Sequence, residues 1–162
     1  MKKKLIFLMS LLLLCGCAGT NDIAPTNNRV ADMSGYESLQ EEYSNRFYEM
    51  SLDELEEVLT EGKTATVYLG YEDCHNCQDA INDIGRIAQE KNTYLYYLDA
   101  MQLKNDAELE RLKDLINEAL EENVEGNKTV YTPEVIKIVD GEIIDWKVGS
   151  NDLEGYESII GD

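Results

Sequence analysis

The sequence predicts an α/β domain with a mixed sheet of four to five strands and helices on both faces. Three observations carry that expectation. Residues 64–70 form an apolar, β-branched run with polar residues only at its start, as a strand buried on both faces requires. Helical and strand periodicities alternate through residue 120, the pattern of crossover connections between neighbouring strands. Finally, Asp140-Gly141 separates two β-branched runs at 134–139 and 142–148, the clearest hairpin signal in the chain.

Taken in order, Lys2, Lys3 and Lys4 precede a ten-residue apolar core from Leu5 to Leu14, too short to span a bilayer as a stable anchor. Residues 1–16 read as an export signal. Residues 18–34 are rich in Asn, Thr, Asp, Ser and Gly, include Pro25 and show no apolar periodicity, so they read as a flexible spacer. The spacing Tyr36, Leu39, Tyr43, Phe47 allows a short amphipathic helix, and residues 46–50 read equally well as a first strand. The domain boundaries that follow are a signal at 1–16, a tether at 17–45 and a folded domain at 46–162.

Ser51 with Glu54 three residues later matches a capping box. It opens a helix whose face is Leu52, Leu55, Val58 and Leu59, and Gly62 closes it. After the strand at 64–70, Cys77, Ala80, Ile81, Ile84, Ile87 and Ala88 recur at helical spacing, which puts Cys77 on the inner side and Cys74 at the exposed tip. Residues 93–99 read as a strand. Asn105 and Glu108 suggest a second capping box before the stripe Leu109, Leu112, Leu115, Ile116, Ala119 and Leu120, and residues 121–132 read as loop. A last helix over 151–160 would turn Leu153, Tyr156, Ile159 and Ile160 inward. No internal repeat is present.

The chain of 162 residues carries a formal charge of −19, which becomes −22 once residues 1–16 and their three lysines are removed. Such a charge excludes nucleic acid as a partner and excludes attraction of the protein surface to anionic lipid. About 115 residues beyond the spacer are enough for one compact domain.

Chemistry concentrates at Cys74-His75-Asn76-Cys77, where the strand ends and the helix begins. A cysteine in the first helical turn lies among unpaired N–H groups and the positive end of the helix dipole, which favours its thiolate. The second sulfur, one turn on, can close a disulfide with it. A structural disulfide or half of a zinc site are the other readings. These are the only cysteines in the folded domain at 46–162, so no second pair completes four metal ligands. His75 is the only histidine, so no metal site is expected. His75 could favour the Cys74 thiolate when protonated, whereas Glu72, Asp73 and Asp79 oppose it, which makes His75 and Asp73 candidate tuning residues. Tyr68 and Tyr71 flank the pair as candidate groove residues or half-buried strand tyrosines.

Two resemblances follow from these residues. Leu14-Cys15-Gly16-Cys17 resembles the bacterial lipobox, which implies a lipid on Cys17 and a protein held at the extracytoplasmic face of the bacterial cell membrane. From residue 47 to 160 the chain resembles the thioredoxin-like superfamily. The strand leading into Cys74 to Cys77, the dipeptide Thr132-Pro133, and the hairpin from Val135 to Val148 and Gly149 occur in that family's order. The run Val67-Tyr68-Leu69-Gly70, with Gly62-Lys63 before it, looks most like bacteriocin transport accessory proteins. The resemblance implies a thioredoxin-like fold, a cis Thr132–Pro133 bond, and Thr132 and Pro133 as the substrate-binding wall. It implies thiol-disulfide exchange with Cys74 as nucleophile and Cys77 as resolving thiol, without a cofactor. The expected partners are exported proteins with thiols or disulfides, and a redox partner protein. Asp73, His75-Asn76 and Tyr68 depart from thioredoxin, which has Trp, Gly-Pro and a buried Asp there. A non-catalytic binding or secretion-accessory lipoprotein is the alternative function.

Overall fold

The structure is a computed structural model and describes residues 29–103 and 105–161. The expected leader, Cys17 as the expected lipid site and the first part of the expected tether lie outside the described residues. In chain order the elements are α1 (Glu41–Ser44), β1 (Phe47–Glu49), α2 (Leu52–Thr60), β2 (Ala65–Gly70), α3 (His75–Glu90), β3 (Leu95–Asp99), α4 (Asp106–Leu115), β4 (Glu121–Glu122), β5 (Lys128–Thr129), β6 (Glu134–Val139), β7 (Glu142–Val148) and α5 (Leu153–Ile159). Five strands form one sheet in the order β1-β3-β2-β6-β7. The pairs β1·β3 and β2·β3 are parallel, whereas β2·β6 and β6·β7 are antiparallel, so the sheet is mixed as expected.

Each boundary has a local cause. Ser51 accepts the Glu54 N–H at 3.2 Å while the Glu54 carboxylate accepts the Ser51 N–H at 2.8 Å, the reciprocal capping box. Beyond Thr60 the chain turns left-handed at Gly62 (φ 68°), and the Lys63 N–H bonds back to the Val58 carbonyl. The same closure ends α3, with Asn92 (φ 51°) in glycine's place and the Thr93 N–H on the Ala88 carbonyl. Asp140 and Gly141 both have positive φ, the two-residue turn whose twist matches the strands it joins.

Two apolar layers pack on the sheet. On one face the α3 stripe of Cys77, Ala80, Ile81, Ile84, Ile87 and Ala88 is fully buried with Tyr68, Val135, Tyr156 and Ile159. On the other, Leu55 and Val58 of α2 and Leu112 of α4 meet Val67, Leu69, Ile136 and Ile138. Each large side chain so buried contributes about 1.5–3 kcal/mol.

Three expectations need correction. Residues 29–45, assigned above to the tether, belong to the folded domain: Ala31, Met33 and Tyr36 are buried, and Val30 bridges to Tyr48. Its polar composition hid three apolar contacts spaced to meet α3 and the sheet edge. The segment 36–50 holds both readings, a single helical turn at α1 and then β1. Residues 121–132 are not all loop, because Asn123 folds them into the small β4–β5 hairpin by accepting the Glu125 and Asn127 N–H groups on its side chain. Leu153 stays 41% exposed at the first position of α5, where only Gly155, Tyr156 and Ile159 of the helix are buried.

Candidate active site

Gly70 ends β2, the central strand of the sheet, and the chain turns once before α3, where the Cys74 N–H meets the Tyr71 carbonyl at 3.2 Å. Cys74 is the N-cap of α3, in extended conformation (φ −81°, ψ 115°), and its Sγ accepts the Cys77 N–H at 3.1 Å. A sulfur therefore does the work that a Ser or Asp oxygen does at other helix starts. Cys74 and Cys77 form a disulfide with Cα atoms 5.1 Å apart.

A second wall comes from far along the chain. The Thr132–Pro133 bond is cis, the Thr132 hydroxyl donates to Cys74 Sγ at 3.4 Å, and the Thr132 carbonyl oxygen lies 3.7 Å from that sulfur. The two stretches separated in sequence, the dithiol turn and the Thr132-Pro133 dipeptide, are thus one site. The expectation of an exposed Cys74 is corrected: it is only 7% exposed, because its side chain turns back over the helix end and against Thr132. Cys77 is fully buried, as its place on the stripe requires.

The two candidate tuning residues lie outside this pocket. The His75 side chain is 90% exposed, with Nε2 3.5 Å from the Asp79 carboxylate four residues on. Such a solvated contact is worth little. Asp73 is exposed at the turn. Among the described residues no group of three or more His, Cys, Asp or Glu side chains is placed to hold a metal ion.

Tyr68 cannot line a groove, since it is fully buried behind the disulfide helix. Its ring stacks on Tyr97 at 5.7 Å, and the Tyr36, Tyr68 and Tyr97 hydroxyls lie 3.3–3.4 Å apart in a buried chain. Burial above all pushes all three well above the ordinary tyrosine value, so they remain neutral. Gly70 is required beneath this cluster, because a Cβ there would lie 2.6 Å from the Tyr68 hydroxyl. Tyr71 is half-buried against the same core.

Two contributions escaped sequence reasoning. The Gln78 amide donates to the Gly35 carbonyl at 2.8 Å and to the Glu72 carbonyl at 2.7 Å, tying residues 35–38 to the active-site turn, and the Ser38 hydroxyl bonds the Gln78 carbonyl. Nothing in the spacing of Gln78 marks it. The other is Glu134, buried directly after Pro133, with one carboxylate oxygen lacking any partner among the described residues. Burial, and then the charge of Glu121, pushes its carboxyl up to about 8. Its only signal is a charge at the head of the run Val135 to Val139.

No protein-family model and no curated protein matches the chain. Solved structures do. A candidate oxidoreductase with a thioredoxin fold shares 19% identity at a TM-score of 0.53, covering 72% of this chain and 93% of that one. Thioredoxin from Aeropyrum pernix shares 21% over 68% of this chain and 81% of its own (TM-score 0.47), and thioredoxin from Trypanosoma brucei brucei 14% over 82% and 100% (TM-score 0.48). The first likeness, together with the strand order, shows that the chain has the thioredoxin fold.

Proposed function

We propose that this thioredoxin-fold chain is a thiol-disulfide oxidoreductase with Cys74 as nucleophile and Cys77 as resolving thiol. One observation carries the reading: Cys74 Sγ, at the start of α3, accepts the Cys77 N–H and the Thr132 hydroxyl together. Both donors, with the helix dipole, stabilise a thiolate more than a thiol. In the reducing direction the Cys74 thiolate attacks a partner disulfide, whose S–S bond breaks and whose leaving sulfur takes up a proton. Cys77 then loses its proton and attacks Cys74 Sγ, which restores the disulfide and releases the partner's second thiolate. Two electrons pass to the partner, and the oxidising direction reverses each step. Thr132 and Pro133 receive the substrate segment beside Cys74.

The finer assignment rests on the leader. The lipobox-like Cys17 supports a lipid anchor, which would hold the domain at the extracytoplasmic face of a bacterial membrane, with exported proteins as substrates and a further redox protein as electron partner. The resemblance to bacteriocin transport accessory proteins supports a role beside a secretion system.

The test is a Cys77→Ala variant expressed in its own cell envelope. Mixed disulfides through Cys74 should accumulate and identify the substrates; their absence counts against exchange. One observation favours a second reading, a non-catalytic binding lipoprotein: the 7% exposure of Cys74 suits a sealed disulfide. Equilibration in glutathione buffers separates the two. A potential well below about −300 mV, with no turnover of a model disulfide, selects the binding module.

A further inference from the structure

Glu134 has no structural reason to be an acid. It is 1% exposed, its backbone is held in the sheet between Leu69 and Val148, and its Oε1 is the one buried side-chain polar atom without a partner among the described residues. Leaving such a group unpaired is costly, and an apolar residue like its neighbours Val135 and Ile136 would avoid the cost. Its position is informative. Glu134 follows Pro133 directly, two residues from the Thr132 hydroxyl that holds Cys74 Sγ. Side-chain alternation places it with Leu69 and Ile136 on the α2–α4 face, so a single layer of sheet separates it from α3 and the disulfide.

We propose that Glu134 is a positioning residue for the redox pair: protonated, it leaves the buried neighbourhood of Cys74 free of negative charge, and ionised, it opposes formation of the Cys74 thiolate. The proposal rests on the oxidoreductase reading above. The charged group that acts on Glu134 is Glu121 of β4, Glu134 in turn pushes the Tyr156 hydroxyl of α5 upward, and its strand neighbours Leu69 and Val148 are apolar. None of these is a cation, so nothing among them offsets a charge at Glu134. Linkage is reciprocal: if ionised Glu134 disfavours the thiolate, the thiolate makes Glu134 hold its proton more tightly.

The proton count makes this measurable. Two glutathione thiols reduce the disulfide, giving one oxidised glutathione, a Cys74 thiolate and a Cys77 thiol. Two electrons enter the protein; of the two thiol protons, one stays on Cys77 and the other leaves to solvent when Glu134 is already protonated. Where Glu134 starts ionised, part of that second proton is taken up by Glu134 instead.

The test is the glutathione redox equilibrium of the full chain from pH 6 to 10, compared with Glu134→Gln, a permanently neutral carboxamide of the same shape. Near pH 6 the two should agree. Above about pH 9 the native chain should be harder to reduce by roughly tenfold, the effect of a like charge at the general layer spacing of about 10 Å in a medium of effective dielectric about 20. A carboxyl signal of Glu134 followed by isotope-edited infrared should titrate at higher pH in the reduced chain than in the oxidised one. Parallel redox curves, or the same carboxyl titration in both states, overturns the proposal while leaving exchange intact. If neither chain is reduced at any pH, the oxidoreductase reading itself fails, and this proposal with it.

Discussion

Replacing Glu134 by Gln should change how stability depends on pH. Glu134 is buried with one oxygen unpaired, and its carboxyl is held up to about 8 against an ordinary value of 4.5. The folded chain therefore binds this proton more tightly than the unfolded chain does. Its contribution to stability is fully present below about pH 4.5 and is lost as the pH rises to about 8. The interval from 4.5 to about 8, at about 1.36 kcal/mol per pH unit, amounts to about 5 kcal/mol. That is comparable with the whole stability of a small domain, about 5–15 kcal/mol. Gln keeps the volume and one hydrogen-bonding oxygen but carries no titrating proton. Urea unfolding of the oxidised protein, run for both chains at several pH values from 4.5 to 8.5, reads the difference directly. The two should lie within about 1 kcal/mol at pH 4.5, with the Gln variant gaining steadily until it leads by several kcal/mol at pH 8. Subtracting one chain from the other cancels the repulsion that the large acidic charge adds to both. Parallel stability curves across that range would show that Glu134 is solvated or paired in the folded protein, and the reasoning would be wrong.

Three other outcomes are expected. Thr132→Val keeps the shape of the wall but removes the hydroxyl that donates to Cys74 Sγ at 3.4 Å; in the reduced protein, alkylation of Cys74 near pH 6 should slow by about fivefold, the loss of one hydrogen bond of about 1 kcal/mol. Gly141→Ala should cost about 2–3 kcal/mol in chemical denaturation, because φ is +80° and the new Cβ would lie 2.4 Å from the Leu59 carbonyl oxygen. A chain starting at Arg46 should be several kcal/mol less stable than one starting at Arg29, at about 1.5–3 kcal/mol for each large side chain lost from the core, Met33 and Tyr36 foremost; equal stability would return residues 29–45 to the tether.

Most relations between neighbours along the chain were legible in the sequence alone, the Asn123 turn of the β4–β5 hairpin excepted. The Ser51 box, the left-handed stop at Gly62, the α3 stripe and the Asp140-Gly141 turn are relations between residues at most a few turns apart, and all stand in the structure where their spacing puts them. The pairing of Cys74 with Cys77 belongs to the same class, since one helical turn brings the two sulfurs together. The tertiary structure decided what depends on contacts at long separation. It brought Thr132 across 58 positions to Cys74, folded Tyr36 and Met33 into a core that their polar segment concealed, and turned Tyr68 inward where a groove residue was equally legible. It also buried Glu134 with an unmatched oxygen. The reason is physical: a side chain's period along the chain records which face it occupies, whereas its exposure, its partners and its protonation depend on what the rest of the fold lays against that face.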